Sequence, residues 1–309
     1  MCLVYIAVLN YNTYNKSKVC IDSCLKQIGD NYRIVLIDNC STDDSFQLLK
    51  RDYNNLIDFY ETGSNYGFAK GNNLAVKYCL AKGAQYTLLL NSDTELVGDS
   101  LIQDLLKVAN DVEGCAVVSP TIYDVTQKGN IMHTNDSAYL HYLRLIGILP
   151  HKHIINDNLE IVSEAHGSAL LVNNSIFVSV GGFPEHYFMY TEECTFSKRI
   201  IWAGYLICWI KEHSNIVLHH HDKSKQTDGW RFYLMGRNRS LEYYENRAGK
   251  THLWWIVYQV FKYKMLLQGL KDGNMFYYKG MVNGEFLYKN GISPSECYEL
   301  GKKVMHDIK

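Results

Sequence analysis

Hydrophobic and polar positions alternate in blocks along the first hundred residues. Residues 3–9 (LVYIAVL), 32–37, 56–61 and 86–90 are short, mostly apolar runs, and polar residues cut each of them off. Such runs read as strands buried on both faces, the habit of a parallel sheet. The segments between them have helical spacing. Residues 16–27 place Val19, Ile21, Cys24 and Leu25, with Ile28 just beyond, on or near one face. Ser41 or Asp43 can cap a helix running to about Arg51, and a third helix follows the glycine-containing segment 63–71 and ends near Lys82. The alternation β-α-β-α-β-α-β predicts an α/β fold with an open, mostly parallel central sheet flanked by helices.

The second half is less regular. A helix over 100–110 and a strand over 116–119 are followed by residues 121–160, whose periodicity is weak and which read as irregular. Then come a strand at 167–172, a helical turn at 175–180, a Gly181-Gly182-Phe183 turn and a helix from Glu193 to about Ala203. Strands at 205–210 and 216–218 lead to His219-His220-His221-Asp222, and the chain from Trp230 reads as helical. The expected division is a domain over 1–225, with halves of about 1–120 and 121–225, and a helical extension over 226–309.

Composition changes this picture in one place. The 309 residues are 47% hydrophobic and 20% charged with net charge −1, ordinary for a folded chain and no footprint of a nucleic-acid binder. Residues 226–309, however, hold 13 Lys and Arg against 8 Asp and Glu, and 16 of the 40 aromatic residues. A basic, aromatic end suggests an anionic surface or a partner subunit. Trp254, Trp255, Tyr258, Phe261 and Tyr263 with Lys262 and Lys264 fit an amphipathic surface helix, for peripheral membrane contact or for packing in a homodimer. The nine cysteines form no CxxC pair; Cys20 and Cys24 fit adjacent turns of one helix. Without a secretory signal or a run long enough to span a membrane, the expectation is a cytoplasmic protein with reduced thiols.

Three of the predicted strands end in polar clusters: residues 10–13, 38–43 and 91–95. In an open α/β sheet these carboxyl ends meet in one crevice, where ligands bind. Asp38 there can accept hydrogen bonds from a nucleobase or ribose, or cap the following helix. Asp93 and Glu95, at the end of the run QYTLLLNSDTE, can hold a divalent cation that in turn holds a diphosphate; the plainer reading is a strand end whose Asp caps a helix starting near Gly98. The glycine segment 63–71 does not fit GxGxxG, so a dinucleotide fingerprint is not supported.

The series VLNYNT, LIDNCSTDDS, NYGFAKGNN, LLLNSDTEL, HGSALLV, GGFPEHYFMYTEE and LHHHDKS occurs in this order. It resembles the family 2 inverting glycosyltransferases of GT-A fold, in the rhamnosyltransferase-like bacterial branch that builds surface polysaccharides. The resemblance covers roughly residues 3–290 and makes 1–225 the catalytic domain, its first half for the nucleotide-sugar and its second for the acceptor. It implies that Asp38 binds the donor nucleoside, that Asn10 and Tyr11 border the base, and that Asn65, Gly71 and Asn72 line the nucleotide pocket. Asp93 matches the last Asp of the DxD element that coordinates Mn²⁺ or Mg²⁺. Asn91 stands at the first position, with Ser92 between, and Glu95 is an auxiliary candidate. Glu193 falls at the general base and Glu192 beside it, although the family's next Asp is Thr195 here. One of His219, His220 and His221 would join the metal or diphosphate. Arg237 and Arg239 are candidates for phosphate on a lipid-linked acceptor, or for ion pairs.

The implied reaction moves a sugar from a UDP- or dTDP-linked donor to a hydroxyl of a glycan acceptor, at the inner face of the cytoplasmic membrane where the acceptor is lipid-borne. Two other readings stand beside it. A non-catalytic nucleotide-sugar binder is suggested by the departures at Glu193 and Thr195. A sugar nucleotidyltransferase would need a basic, glycine-rich phosphate loop after the first strand, and residues 10–13 have neither feature.

Overall fold

The computed structural model describes residues 3–125, 130–132, 153–211, 214–220, 229–246 and 252–307. The chain divides into two compact units. The first holds residues 1–66, 71–182 and 196–221, and the second 67–70, 183–195 and 222–309.

In the first unit the apolar runs form strands β1 (Val4–Asn10), β2 (Tyr32–Asp38), β3 (Asp58–Glu61) and β4 (Tyr86–Asn91). They alternate with helices α1 (Tyr14–Cys24), α2 (Ser45–Tyr53) and α3 (Gly67–Ala81). All four strands are parallel, in the order β3-β2-β1-β4. The order reverses at β1, which pairs with β2 on one side and β4 on the other, so Asn10 lies opposite Asp38 and Leu9 opposite Asn91. The order therefore switches at β1, the place where open α/β sheets bind ligands.

Helix α4 (Leu101–Asp111) and β6 (Cys115–Ser119) follow, and β11 (Ala169–Asn173) inserts antiparallel between β4 and β6. Helix α5 (Asn174–Ser179) leaves β11, its end capped by the Asn173 side chain accepting from Ile176 N. Strand β12 (Leu206–Ile210) pairs parallel with β6, and β10 (Leu159–Ile161) and β9 (His153–Asn156) complete a nine-stranded sheet. A buried cluster including Ile6, Val8, Ile21, Leu36, Leu49, Leu88, Leu105 and Leu171 packs the helices onto it. Cys20 and Cys24 share α1, buried as free thiols.

A second sheet corrects two expectations. Strand β5 (Thr94–Val97) follows β4 at once, so the acidic turn joins two strands and does not cap a helix near Gly98. β5 pairs with β13 (Ile216–His219), and β13 with β7 (Ile122–Asp124), which pairs with β8 (Asn130–Met132). Residues 121–160 are therefore partly strand. Three- and four-residue strands are too short to show a period.

The second unit contains α7 (Gly229–Glu245), α8 (His252–Asp272), α9 (Phe276–Lys289) and α10 (Pro294–Asp307), along with the start of α3 and of α6 (Glu192–Trp202). Helices α7 and α9 approach backbone to backbone: a Cβ on Gly236 would lie 2.0 Å from the Tyr277 carbonyl oxygen, and one on Gly280 2.0 Å from that of Tyr233. Tyr243, Tyr244, Tyr258 and Met281 pack beside this contact, and Ser240 Oγ, 2.6 Å from Tyr258 Oη, donates to Met281 O. Tyr258 is therefore core, and the apolar residues that α8 turns outward are Trp255, Ile256, Val260, Tyr263, Leu267 and Leu270. Among the described residues no helix is long and apolar enough to cross a membrane.

Candidate active site

At the ends of β1 and β2 the polar side chains interlock. Asn10 Nδ2 donates to Asp38 Oδ1 at 2.6 Å, and Asn10 Oδ1 accepts from Thr13 Oγ1 and Ser17 Oγ. Asp38 Oδ1 also accepts from Ser41 Oγ, and Oδ2 from Ser41 N. A buried carboxylate is tolerable when donors meet its lone pairs, and Asp38 has three of them, with acceptor capacity left on Oδ2. Asn39 extends the array, accepting from Tyr66 N and donating to Asn65 Oδ1 at 3.2 Å. Asn12, with φ 54°, accepts from Thr42 N, so the loops after β1 and β2 are tied together.

Of the residues expected to line a nucleotide pocket, Asn10, Asp38 and Asn65 thus share one network. Asn72 is buried in α3, and Gly71 lets that helix approach β1, since a Cβ there would meet Leu9 Cδ1 at 2.9 Å. Tyr11 is half-buried. Asn12, Asn39, Thr13 and Ser41 belong to the network; from sequence they fall in the polar clusters, Ser41 also as a candidate cap, but are not named as site residues. The signal was present, since they are the polar residues within VLNYNT and LIDNCSTD.

The turn between β4 and β5 carries the acidic groups. Ser92 Oγ lies 3.0 Å from Thr13 Oγ1, and Thr94 Oγ1 donates to Asn91 O, which fixes the turn against α1. Pairing of β5 with β13 sets His219 opposite Thr94. As a result His219 Nε2 lies 3.1 Å from Asp93 Oδ1, and His220 Nε2 lies 2.9 Å from Glu95 Oε2. His219 is buried, its ring edge-on to that of His166 at 6.0 Å. Lys16 Nζ sits 3.8 Å from Asp93 Oδ2 and donates to His220 O. The fold thus brings together two acid–imidazole pairs 126 and 125 positions apart in the chain. His221 lies outside the described residues.

A carboxylate oxygen and a buried imidazole nitrogen at this separation fit a divalent cation that completes its shell from a diphosphate. Asp93 and His219 would hold it; Glu95 is engaged with His220.

In the second unit, Glu192 and Glu193 open α6. Glu192 is buried and its Oε2 has no hydrogen-bond partner among the described residues. Burial, and then the charge of Glu193, push its carboxyl well above the usual carboxylate range. Glu193 is half-exposed. The preceding loop is strained: Phe188, Tyr190 and Thr191 have φ of 65°, 73° and 74°. Each such non-glycine residue costs about 1–3 kcal/mol and persists only if its surroundings enforce it.

Arg237 supplies part of that enforcement and is not a surface phosphate ligand. It is wholly buried, donating from Nη2 to Tyr187 O, from Nη1 to Cys297 O and from Nε to Asn238 Oδ1. Burial lowers its guanidinium to about 10, so it is charged at neutral pH. Arg239 is less enclosed, with Nη1 3.9 Å from Glu242 Oε2.

The sequence model of glycosyl transferase family 2 matches residues 5–180, more than half of the chain. The chain belongs to this family. It is therefore a glycosyltransferase, which sets aside the nucleotidyltransferase and non-catalytic binder readings. This family 2 chain is 27% identical over 241 residues to the low-salt glycan biosynthesis hexosyltransferase Agl10 of Haloferax volcanii, covering 76% of the chain and 74% of the relative. It is 28% identical over 255 residues to the rhamnosyltransferase WbbL of Escherichia coli, covering 77% and 92%. Among solved structures it resembles GalNAc-T7 with UDP, GalNAc and Mn²⁺ (TM-score 0.59, 13% identity), covering 79% of the chain but only 50% of that protein. It also resembles the mannosyltransferase PcManGT of Pyrobaculum calidifontis with GDP-Man and Mn²⁺ (TM-score 0.57, 12% identity), covering 98% and 74%. These likenesses bear out the GT-A fold.

Proposed function

We propose that this glycosyltransferase moves a sugar from a UDP- or dTDP-linked donor to a hydroxyl of a surface-polysaccharide acceptor, with inversion. The observation that carries the reading is the Asp93–His219 pair at the carboxyl end of β4, beside the Asn10–Asp38 network. Asp38 Oδ2 accepts from the nucleoside, with Asn10, Tyr11, Asn65, Gly71 and Asn72 shaping the space around it and Asn91 and Ser92 next to the phosphates. A bound Mn²⁺ or Mg²⁺ would neutralise charge growing on the leaving diphosphate. Lys16 adds a fixed positive charge beside Asp93.

Glu193, half-exposed and beside a carboxyl kept neutral by burial, takes the proton of the attacking hydroxyl on a carboxylate oxygen. Glu192 in its neutral form adds no second negative charge there. Direct attack assisted by one base gives inversion without a covalent enzyme intermediate. The WbbL likeness supports a rhamnosyl donor, and Arg239, less enclosed than Arg237, is the candidate for an acceptor phosphate. The test is release of UDP or dTDP from UDP-GlcNAc and dTDP-rhamnose. Glu193→Gln should lower turnover by about 10²-fold or more while nucleotide binding is kept; wild-type turnover in that variant would remove Glu193 from the role.

From Ile256 to Leu270 the outward apolar residues of α8 recur every three or four positions, with Trp255 beside the first, and Lys264 and Lys271 lie exposed on the same helix, which has no acidic residue before Asp272. Apolar side chains with flanking cations match an anionic lipid surface. We propose that α8 rests on the cytoplasmic leaflet, placing the enzyme near a lipid-linked acceptor.

A further inference from the structure

We infer that Asn238, oriented by Arg237, is a positioning residue for the Glu193 base, an inference that rests on the base assignment above. Three main-chain carbonyls of the loop before α6 converge on one side-chain amide. Asn238 Nδ2 donates to Tyr187 O at 3.0 Å, Met189 O at 2.7 Å and Tyr190 O at 2.8 Å. An amide NH₂ has two hydrogens, so at least one is shared. The convergence requires the backbone to turn back on itself, which is where the left-handed residues Phe188, Tyr190 and Thr191 sit.

Arg237 decides which end of the amide faces the loop. Its Nε donates to Asn238 Oδ1 at 3.0 Å, so Nδ2 must point the other way. Its Nη2 shares the Tyr187 carbonyl at 3.0 Å. Gly301 leaves room for the guanidinium, since a Cβ there would come within 2.8 Å of both terminal nitrogens. From another direction, Ala69 N donates to Phe188 O, and a Cβ on Gly67 would lie 2.3 Å from that oxygen. Both Arg237 and Asn238 are fully buried, and the arginine has side-chain amide and main-chain oxygens as its partners. A buried cation held this way gives little net stability, whereas it fixes a geometry.

That geometry sets the base. Thr191, the last left-handed residue, immediately precedes Glu192, and its φ determines the direction in which α6 departs. Glu193 is three residues beyond the last clamped carbonyl. A general base tolerates little displacement, since about 1 Å can cost roughly 10²-fold in rate.

The experiment compares Asn238→Ala with the double variant Asn238→Ala/Thr191→Gly, reading thermal stability, UDP and dTDP binding, and hydrolysis of dTDP-rhamnose or UDP-GlcNAc with water as acceptor. Glycine accepts positive φ without strain, so it should restore stability lost with the amide, but it supplies no direction. The inference predicts that Asn238→Ala binds nucleotide as wild type does, with kcat lowered about tenfold to a hundredfold. It further predicts that the double variant regains stability but not kcat. Recovery of kcat together with stability would show a purely structural role and overturn it, as would wild-type kcat in Asn238→Ala. If Asn238→Ala does not fold, Arg237→Lys, which loses the Nε donor, is read in the same way. Glu193→Gln is the control: full activity there would refute the base assignment itself, whatever Asn238→Ala does.

Discussion

His219 Nε2 and Asp93 Oδ1 lie 3.1 Å apart, although 126 residues separate them in the chain. Two short strands create this relationship: β5 leaves the acidic turn directly, and antiparallel pairing with β13 carries the histidine back to it. On the proposed reading this buried imidazole and carboxylate hold the cation between them. His219→Ala should therefore weaken Mn²⁺-dependent nucleotide binding by at least about tenfold, an extent second-neighbour losses alone can reach. Titration calorimetry with UDP and Mn²⁺ checks this. Unchanged affinity would pass the role to a neighbouring histidine.

Lys16 offers a subtler reading of the same site. Its ammonium faces Asp93 Oδ2 at 3.8 Å and competes with any cation there, while attracting a diphosphate in the absence of metal. Lys16→Gln should raise Mn²⁺ affinity a few-fold and weaken metal-free UDP binding a few-fold, as expected of a partly exposed pair worth at most about 1 kcal/mol. Binding titrations in Mn²⁺ and in EDTA separate the two effects; movement of both in one direction would count against it.

Glu192 makes a prediction about pH. Its folded-state carboxyl is raised, first by burial and then by Glu193. As pH rises through the ordinary carboxylate range, the unfolded chain releases this proton and the folded chain holds it, so the group's contribution to stability falls with rising pH. Glu192→Gln removes the titration. Its melting temperature should exceed that of wild type near neutral pH, with the gap closing at about pH 4. A gap that does not change with pH would mean that Glu192 is ionised in the folded protein.

The α8 stripe predicts that the protein sediments with vesicles containing anionic phospholipid and less with zwitterionic ones, and that Val260→Glu/Leu267→Glu abolishes this. Concentration-dependent dimerisation lost in the same variant, without vesicle binding, would assign the stripe to a second copy of the chain.

Much of the parallel sheet in the first unit was readable because burial on both faces leaves a continuous apolar run, as at Tyr86–Leu90 before Asn91. The strand β5 was hidden, since Thr94 and Glu95 read as a polar turn. The pairing of His219 with Asp93 follows from topology, which no local spacing encodes. Arg237 misled for a chemical reason: arginine in a helix normally faces water, and its burial here depends on Gly301, on the side-chain oxygen of neighbouring Asn238 and on two carbonyl oxygens from distant segments. Tyr190 and Thr191 carry no mark of a left-handed turn, because Asn238 enforces the conformation from α7.

The central claim is that Asp93 anchors a cation-assisted nucleotide-sugar site. Equilibrium binding of UDP and dTDP, with Mn²⁺ and with EDTA, to wild type and Asp93→Asn tests it most directly. Mn²⁺ should strengthen binding to the wild type and have no effect on the variant, the tighter nucleotide indicating the donor. Tight binding indifferent both to metal and to the Asp93 substitution would contradict it.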